Sequence, residues 1–482
     1  MDIFLPKIDK RKKKILLLLG SEEKIFTIEQ IIQELKVSKK TALLQMKMLQ
    51  EELKNITNKI WIEDTSNGYI LYRKNNYPLH GIITEWVTDS LSFRFIHDLF
   101  LDEVKGIESF KEKNYISTTV FYKETQQIRK WLPKYGVSVE PKPKLKLYGE
   151  EHQIRYLFFK LYWEVDEGKK VLTDYRDLIN AFIIKLEKIT GYSFNAIQKE
   201  QLALAVGVSL IRIEKKIYIK VTEMVILDQN FHGVIIEAYK NLLSKYKLDK
   251  RTIESEIAFL FMLISTIPLK LPPNNYFMGF ENAIQPACTE ATNRLINVSK
   301  TYIRLDFKKM RKDIGMVRRL EEIHCEALFF IPYSKENKHS IAEKKMRILN
   351  KIFDNVINDL CEKVKSSSWL RKIYSEKNFL LKEYSQVFDH YIYWDIYIKK
   401  VNIQIYMDVS LYEELSIRKE LIKKFHEKIK ISQQNDPQHP DIIITNTLLK
   451  MNTFSNQTEM FFWDSNPSKQ LWEKLSKLIN RF

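Results

Sequence analysis

The chain holds 482 residues, carries 78 Lys+Arg against 61 Asp+Glu for a formal net charge of +17, and is 45% hydrophobic. That length exceeds a single core and implies about three to five domains. The composition excludes a disordered chain, and 12 Gly with 13 Pro exclude collagen-like, linker-rich and mostly all-β architectures, leaving a mainly α multidomain protein whose basicity points to an anionic partner, nucleic acid first.

In chain order, Ile28, Ile31, Ile32 and Leu35 repeat at helical spacing, so Thr27–Leu35 is a short amphipathic helix opened by the capping-box pair Thr27 and Gln30. Lys36-Val37 is a tight connection, and Ser38 caps a longer helix, Lys39–Leu53, with Ala42, Met46, Leu49 and Leu53 on its apolar stripe. Helix, short turn, longer helix is helix-turn-helix spacing. Ile60–Tyr72 then alternates around Ser66-Asn67-Gly68, a hairpin signal that completes a winged helix-turn-helix over residues 1–75. Lys40, Leu44 and Lys47 face away from the stripe with Thr41 on the flank, and Lys39, Lys40 and Thr41 occupy the first turn, where a reading helix meets phosphates and base edges.

The plan repeats over residues 76–165. Leu91–Leu101 and Gly106–Tyr115 are expected helices, and Ser117 caps a third that runs to Leu132. Its outward face reads Thr119, Lys123, Gln126 and Lys130, with no acid and no large hydrophobe; Gln suits adenine edges, Lys suits phosphate or guanine. Val137–Val139 and Leu145–Leu147 flank Pro141-Lys142-Pro143-Lys144, a wing with basic residues Lys142, Lys144 and Lys146. Double-stranded DNA is the expected partner. Few of these side chains suit direct base readout, so part of the selectivity is assigned to DNA shape and bendability.

Gly149-Glu150-Glu151-His152-Gln153-Ile154-Arg155-Tyr156 resembles the G-x-E-x-x-I-R-aromatic stretch that ends the DNA-binding half of the Mga/AtxA family of bacterial transcriptional regulators. Gln201–Arg212 followed by Glu256–Leu263 resembles a PTS regulation domain (PRD), a helical bundle phosphorylated on histidine by sugar-phosphotransferase proteins. The resemblance implies five parts: the two winged units, PRD-like bundles at 166–280 and 281–395, and an EIIB-like α/β domain at 396–482. It implies a global activator tied to carbohydrate state, self-association as a dimer, and PTS phosphocarrier proteins as further partners. In the first bundle the usual histidine positions fall on Ala205 and Leu263, which accept no phosphoryl group. In the second, His324 within Leu320–Leu328 is the candidate for regulatory phosphorylation, with His232 and His390 weaker alternatives.

The last part alternates strand and helix: strands at Val401–Met407, Lys428–Ser432, Asp441–Thr445 and Glu459–Trp463, helices at Leu411–His426 and Pro467–Ile479. This is a small parallel α/β sheet. The loop Met407-Asp408-Val409-Ser410, where an EIIB of the cysteine type holds its nucleophile, has none, which excludes phosphotransfer by thiolate. Cys288, Cys325 and Cys361 lie far apart, fitting a reducing compartment. There is no signal peptide, no membrane-length apolar run, no phosphate loop, and no cofactor or metal motif, so a cytoplasmic, non-enzymatic protein is expected. The two rival readings are an RNA-binding antiterminator with paired regulation domains and a PTS phosphocarrier component.

Overall fold

Local capping chemistry builds the first unit. In a computed structural model describing residues 1–140, 145–165, 172–220, 226–227, 237–267, 280–281, 284–333, 343–364, 367–397, 399–425, 428–433, 436, 439–447, 458–464 and 466–482, Thr27 Oγ1 accepts from Gln30 N (3.4 Å) while Gln30 Oε1 accepts from Thr27 N (2.9 Å). That box starts α2 (Ile28–Leu35), which ends where Lys36 turns left-handed (φ 52°). Ser38 Oγ then accepts from Thr41 N and starts α3 (Lys39–Ile56). The expected stripe Ala42, Met46, Leu49 and Leu53 is fully buried. The wing pairs β1 (Ile60–Thr65) antiparallel with β2 (Gly68–Arg73). Phe26 joins it through reciprocal backbone bonds with Tyr69 (2.8 and 2.9 Å), and a Cβ on Gly68 (φ +136°) would lie 2.3 Å from the Phe26 carbonyl oxygen, so only glycine fits that crossing. One helix goes beyond the sequence expectation: α1 (Lys7–Leu19) packs on α2 and α3 through Ile15, Leu16 and Leu19. Its Lys12 is buried, paired with Asp9 and Glu52, and lies over the Trp86 ring at 4.9 Å.

The second unit comprises α4 (Leu79–Asp89), α5 (Leu91–Phe100), α6 (Ile107–Asn114), α7 (Thr118–Trp131), β3 (Ser138–Glu140) and β4 (Lys146–Tyr148). It repeats the first unit in register. The left-handed turn residue is Tyr115 (φ 53°) where the first has Lys36, the cap is Ser117 where the first has Ser38, and Phe121, Thr125 and Ile128 are buried where Ala42, Met46 and Leu49 were. The amino-terminal segment binds the two units together, with Phe4 seated against Phe93 (5.6 Å) and Trp131 (6.0 Å).

Helices dominate the middle of the chain. α8 (Glu151–Val165), α9 (Arg176–Thr190) and α11 (Lys250–Ile264) surround α10 (Ala196–Glu214), which is buried all the way from Leu202 to Ile213. Helix hydrophobicity on every side marks such a central position. A Cβ on Gly207 would fall 1.8 Å from Leu172 Cδ2, so the helix approaches its neighbour more closely there than any side chain permits. Ala205 and Leu263 are core residues, each fully buried. A further group follows: α12 (Ile284–Tyr302), α13 (Phe307–Lys312), α14 (Ile314–Phe329), α15 (Glu343–Lys363), α16 (Ser368–Ser375) and α17 (Lys377–Phe388), with α14 packed against α12, α16 and α17.

The chain divides into two compact units, residues 1–303 with 307–390, and residues 304–306 with 391–482. The second of these holds β5 (Val401–Tyr406), α18 (Leu411–Phe425), β6 (Ile429–Ile431), β7 (Ile442–Thr445), β8 (Glu459–Phe462) and α19 (Lys469–Ile479). The strands lie in the order β8-β7-β5-β6, all parallel, close to the expected ranges. Ile403, Ile405, Ile442 and Ile444 form the sheet side of a core closed by Leu421, Leu475 and Ile479.

Candidate nucleic-acid interface

Helix α7 carries the better-formed of the two candidate faces. Its apolar residues are consumed by the core at Phe121 and Ile128, and that spacing leaves Thr119, Lys123, Gln126 and Lys130 all exposed on the opposite side. Two neighbours extend the face beyond what composition suggested. Tyr122 is half exposed, and Gln127 accepts from Lys10 Nζ at 2.9 Å, tying α1 to this helix. Arg129, overlooked in the sequence, braces the helix from behind. Its guanidinium lies 5.3–5.6 Å from the Phe95, Phe121 and Tyr122 rings, and its Nε donates to Thr125 Oγ1 at 3.3 Å. Burial pulls the Arg129 pKa downward. The alternation of Arg129 with aromatic rings across α5 and α7 is a signal visible only once the two helices are known to touch.

On α3, Lys39, Lys40 and Lys47 are exposed as expected. Thr41 is only half exposed, and its Oγ1 shares a hydrogen bond with Ser38 Oγ (3.0 Å), so its hydroxyl serves the helix cap. The remaining outward positions differ from those of α7: Leu44 is 56% exposed, Leu43 stands beside it, and Glu51 is exposed where α7 has Lys130. The first wing stacks Trp61 on Tyr72 (5.3 Å) on its outer side. On the second wing Lys146 is exposed with Nζ 4.5 Å from the Tyr148 ring, while Lys142 and Lys144 lie outside the described residues.

The stretch from Gly149 to Tyr156 closes this unit. Gly149 (φ +142°) crosses Gly136 so tightly that a Cβ would sit 2.5 Å from its carbonyl oxygen. Glu151 accepts from Arg155 Nε (2.9 Å) and from Arg212 Nε and Nη2 (2.8 and 2.7 Å), and Arg212 Nη1 donates to the Phe100 carbonyl (2.8 Å). Arg155 in turn pairs with Glu256 (2.6 Å). The root of the second wing is therefore held to α10 and α11 by charge-assisted hydrogen bonds.

His324 is fully buried, with Nδ1 2.9 Å from Thr292 Oγ1 and Nε2 2.7 Å from Tyr384 Oη. Burial pulls its pKa down to about 3, so the ring is neutral. Neither nitrogen is open to a phosphocarrier in this arrangement; both serve as cross-links between α12, α14 and α17. His390 is exposed, and His232 lies outside the described residues. In the 407–410 loop, Asp408 N donates to Asn446 Oδ1 (2.8 Å) and Ser410 Oγ accepts from Glu413 N (3.4 Å). Among the described residues no cluster of three His, Cys, Asp or Glu side chains is placed to hold a metal ion, and no helix is long and apolar enough to cross a membrane.

A tandem winged helix-turn-helix with a polar, basic outward helix has the architecture of the helix-turn-helix class. Residues 75–162 match the Mga helix-turn-helix domain, a stretch that covers the second winged unit. The chain is 26% identical to the capsule synthesis positive regulator AcpB of Bacillus anthracis over 216 residues, 42% of each chain. It is 25% identical to the capsule synthesis positive regulator AcpA of that organism, covering 52% of this chain and 53% of the relative. A third relative, the anthrax toxin expression trans-acting positive regulator, is 20% identical over 57% of this chain and 58% of its own length. The chain thus spans about half the length of the curated relatives it matches. These similarities support the resemblance to the Mga/AtxA family of regulators noted in the sequence.

Proposed function

We propose that this chain is a DNA-binding transcriptional activator that reads duplex DNA chiefly with α7 and secondarily with α3. The observation that carries the reading is the outward face of α7: Thr119, Lys123, Gln126 and Lys130 are exposed together, without an acid among them, on a helix whose start is capped by Ser117 and whose back is braced by Arg129. The relatives named as positive regulators support the direction of control. The lysines neutralise phosphates and fix register, and Gln126 is the residue suited to a base edge. With so few readers of bases, bendable sites are bound more tightly than stiff sites of matched composition. The helical groups and the α/β unit serve control, including PTS-linked control, and self-association as a dimer.

The test is binding of labelled duplex DNA and of hairpin RNA by the full chain across a salt series. Duplex is preferred, and replacing Lys123 and Lys130 with Ala weakens binding to all sequences and lowers the salt slope by roughly 0.9 for each phosphate that is no longer neutralised. Affinity and slope unchanged by the double replacement would remove α7 from the interface; preference for RNA would overturn the reading outright.

A further inference from the structure

The candidate reading unit is not closed by its own residues. As α14 ends, Phe330 turns extended, and the segment Phe330-Ile331-Pro332-Tyr333 crosses to the second winged unit. Phe330 stacks flat on Tyr156 of α8, 4.2 Å between ring centroids and 9° between planes. Gln153, also on α8 and 4% exposed, treats the segment as a partner strand: its Oε1 accepts from Ile331 N (2.9 Å) and its Nε2 donates to the Ile331 carbonyl (3.0 Å). The Ile331 Cδ1 occupies the space beside Gly136, 2.9 Å from where a Cβ would stand. Tyr333 lies against Trp131 (6.0 Å) and Tyr135 (5.6 Å), at the end of α7.

These neighbours belong to both parts of the reader. Trp131, Tyr135 and Gly136 join α7 to the wing, and α8 grows directly from β4 on the other side of that wing. The segment thus touches the exit of the reading helix and the exit of the wing simultaneously, while its near end continues α14. The two halves of the joint are unequal. One is a dry anchor: Tyr156 Oη donates to Glu326 (2.6 Å) and accepts from Tyr333 N (2.9 Å), and Lys160 Nζ pairs with Glu326 (2.7 Å), with Tyr156 and Glu326 both buried. The other is the Gln153–Ile331 clip, two neutral hydrogen bonds from a buried glutamine to a segment whose Ile331 is 37% exposed, weaker than the charge-assisted bonds of the anchor. A buried anchor beside a weaker clip is the arrangement of a hinge.

We propose that Phe330–Tyr333 is a coupling strap through which the helical group around α14 sets the DNA affinity of the second winged unit, with Gln153 as the positioning residue. This rests on the reading of α7 as a DNA-binding helix and adds its control. A shift of α14 that opens the clip loosens the junction between α7 and the wing, so that binding must first order the two against each other and affinity falls while the phosphate contacts of the bound state stay the same.

The experiment uses the full chain with Gln153→Leu, which keeps the side-chain bulk and removes both bonds, and with the milder Tyr333→Phe, which keeps the ring and removes the hydroxyl that donates to Glu164. Duplex affinity is measured by anisotropy at fixed salt and as a salt series, and amide exchange is followed at residues 132–140 and 330–333. The expected result is about three- to tenfold weaker binding for Gln153→Leu, with the salt slope retained and faster exchange at both segments, Tyr333→Phe shifting in the same direction by less. The slope separates this from removal of the DNA-facing lysines, because Lys123→Ala with Lys130→Ala lowers it. Faster exchange at Ile331 with unchanged exchange at 132–140 and unchanged affinity overturns the coupling while leaving the DNA reading intact. An unmodified chain that binds no duplex overturns both.

Discussion

Arg155 and Glu256, 101 positions apart, face each other in two hydrogen bonds of 2.6 and 3.1 Å with both side chains fully buried. The pair joins α8, the helix issuing from the second wing, to α11. Glu256 also accepts from Ile219 N (3.0 Å), and Arg155 Nη2 donates to the Ile217 carbonyl (2.8 Å), so the polar atoms on both sides are used. The two carboxylates, Glu256 and Glu151, raise the guanidinium pKa against the opposing effect of burial.

Breaking that pair strands a charge in the core. Glu256→Ala is expected to cost roughly 3–5 kcal/mol, because Arg155 keeps its charge and loses its main partner. Replacing Arg155 and Glu256 together with Met and Leu is expected to cost less than Glu256→Ala alone. Urea unfolding of the three proteins checks the order, and a double variant weaker than the single would show that the network stabilises beyond its pairwise charge.

His324 makes a pH prediction of definite sign. Its folded pKa, about 3, lies below the ordinary 6.5 because the ring is buried between Thr292 and Tyr384, near the Tyr374 ring and beside Cys288. The unfolded chain binds the extra proton between those values. The contribution is thus complete above about pH 6.5 and is lost as pH falls toward 3, by at most ~1.4 kcal/mol per unit. His324→Gln should flatten the acid side of a plot of unfolding free energy against pH between 4 and 6.5; an unchanged slope would assign that dependence to other groups.

On the proposed reading, α7 and α3 should contribute unequally to DNA binding. Lys123→Ala with Lys130→Ala is expected to lower duplex affinity more than Lys40→Ala with Lys47→Ala, because α3 also presents Leu43, Leu44 and Glu51 outward. The exposed Leu44 side chain has no charge to offer a phosphate. Matched salt series for the two double variants give the answer, and equal losses would make the helices equivalent partners.

Thiol chemistry should divide the three cysteines. Cys361 is exposed, whereas Cys288 and Cys325 are buried with their sulfur atoms 3.2 Å apart, and the hydrogen bond between them together with burial pushes the Cys325 thiol up. A thiol reagent applied to the folded chain should titrate Cys361 first and reach the other two only on unfolding. Rapid modification of all three in the native protein would show that the α12–α14 packing opens readily.

Much of this protein follows from short-range chemistry. Thr27 with Gln30, Ser38 and Ser117 start their helices through bonds to amides three residues away, and the parallel C-terminal sheet follows from strand–helix alternation. Such features need only neighbours in the chain, so the tandem winged units and the α/β end are legible in the sequence alone. The sequence also marks the Gly149–Tyr156 stretch without explaining it. Gly149 is there for a backbone crossing with Gly136, Glu151 and Arg155 for the charge network, and Tyr156 for the Glu326 anchor, all interactions with distant residues. What tertiary structure alone decided is which polar side chains remain free. Thr41 turned to its cap, Arg129 turned inward onto three rings, and His324 lost both nitrogens to Thr292 and Tyr384. Helical periodicity assigns a residue to a face, but whether another part of the chain covers that face, and with which hydrogen-bonding atoms, depends on elements far away in sequence.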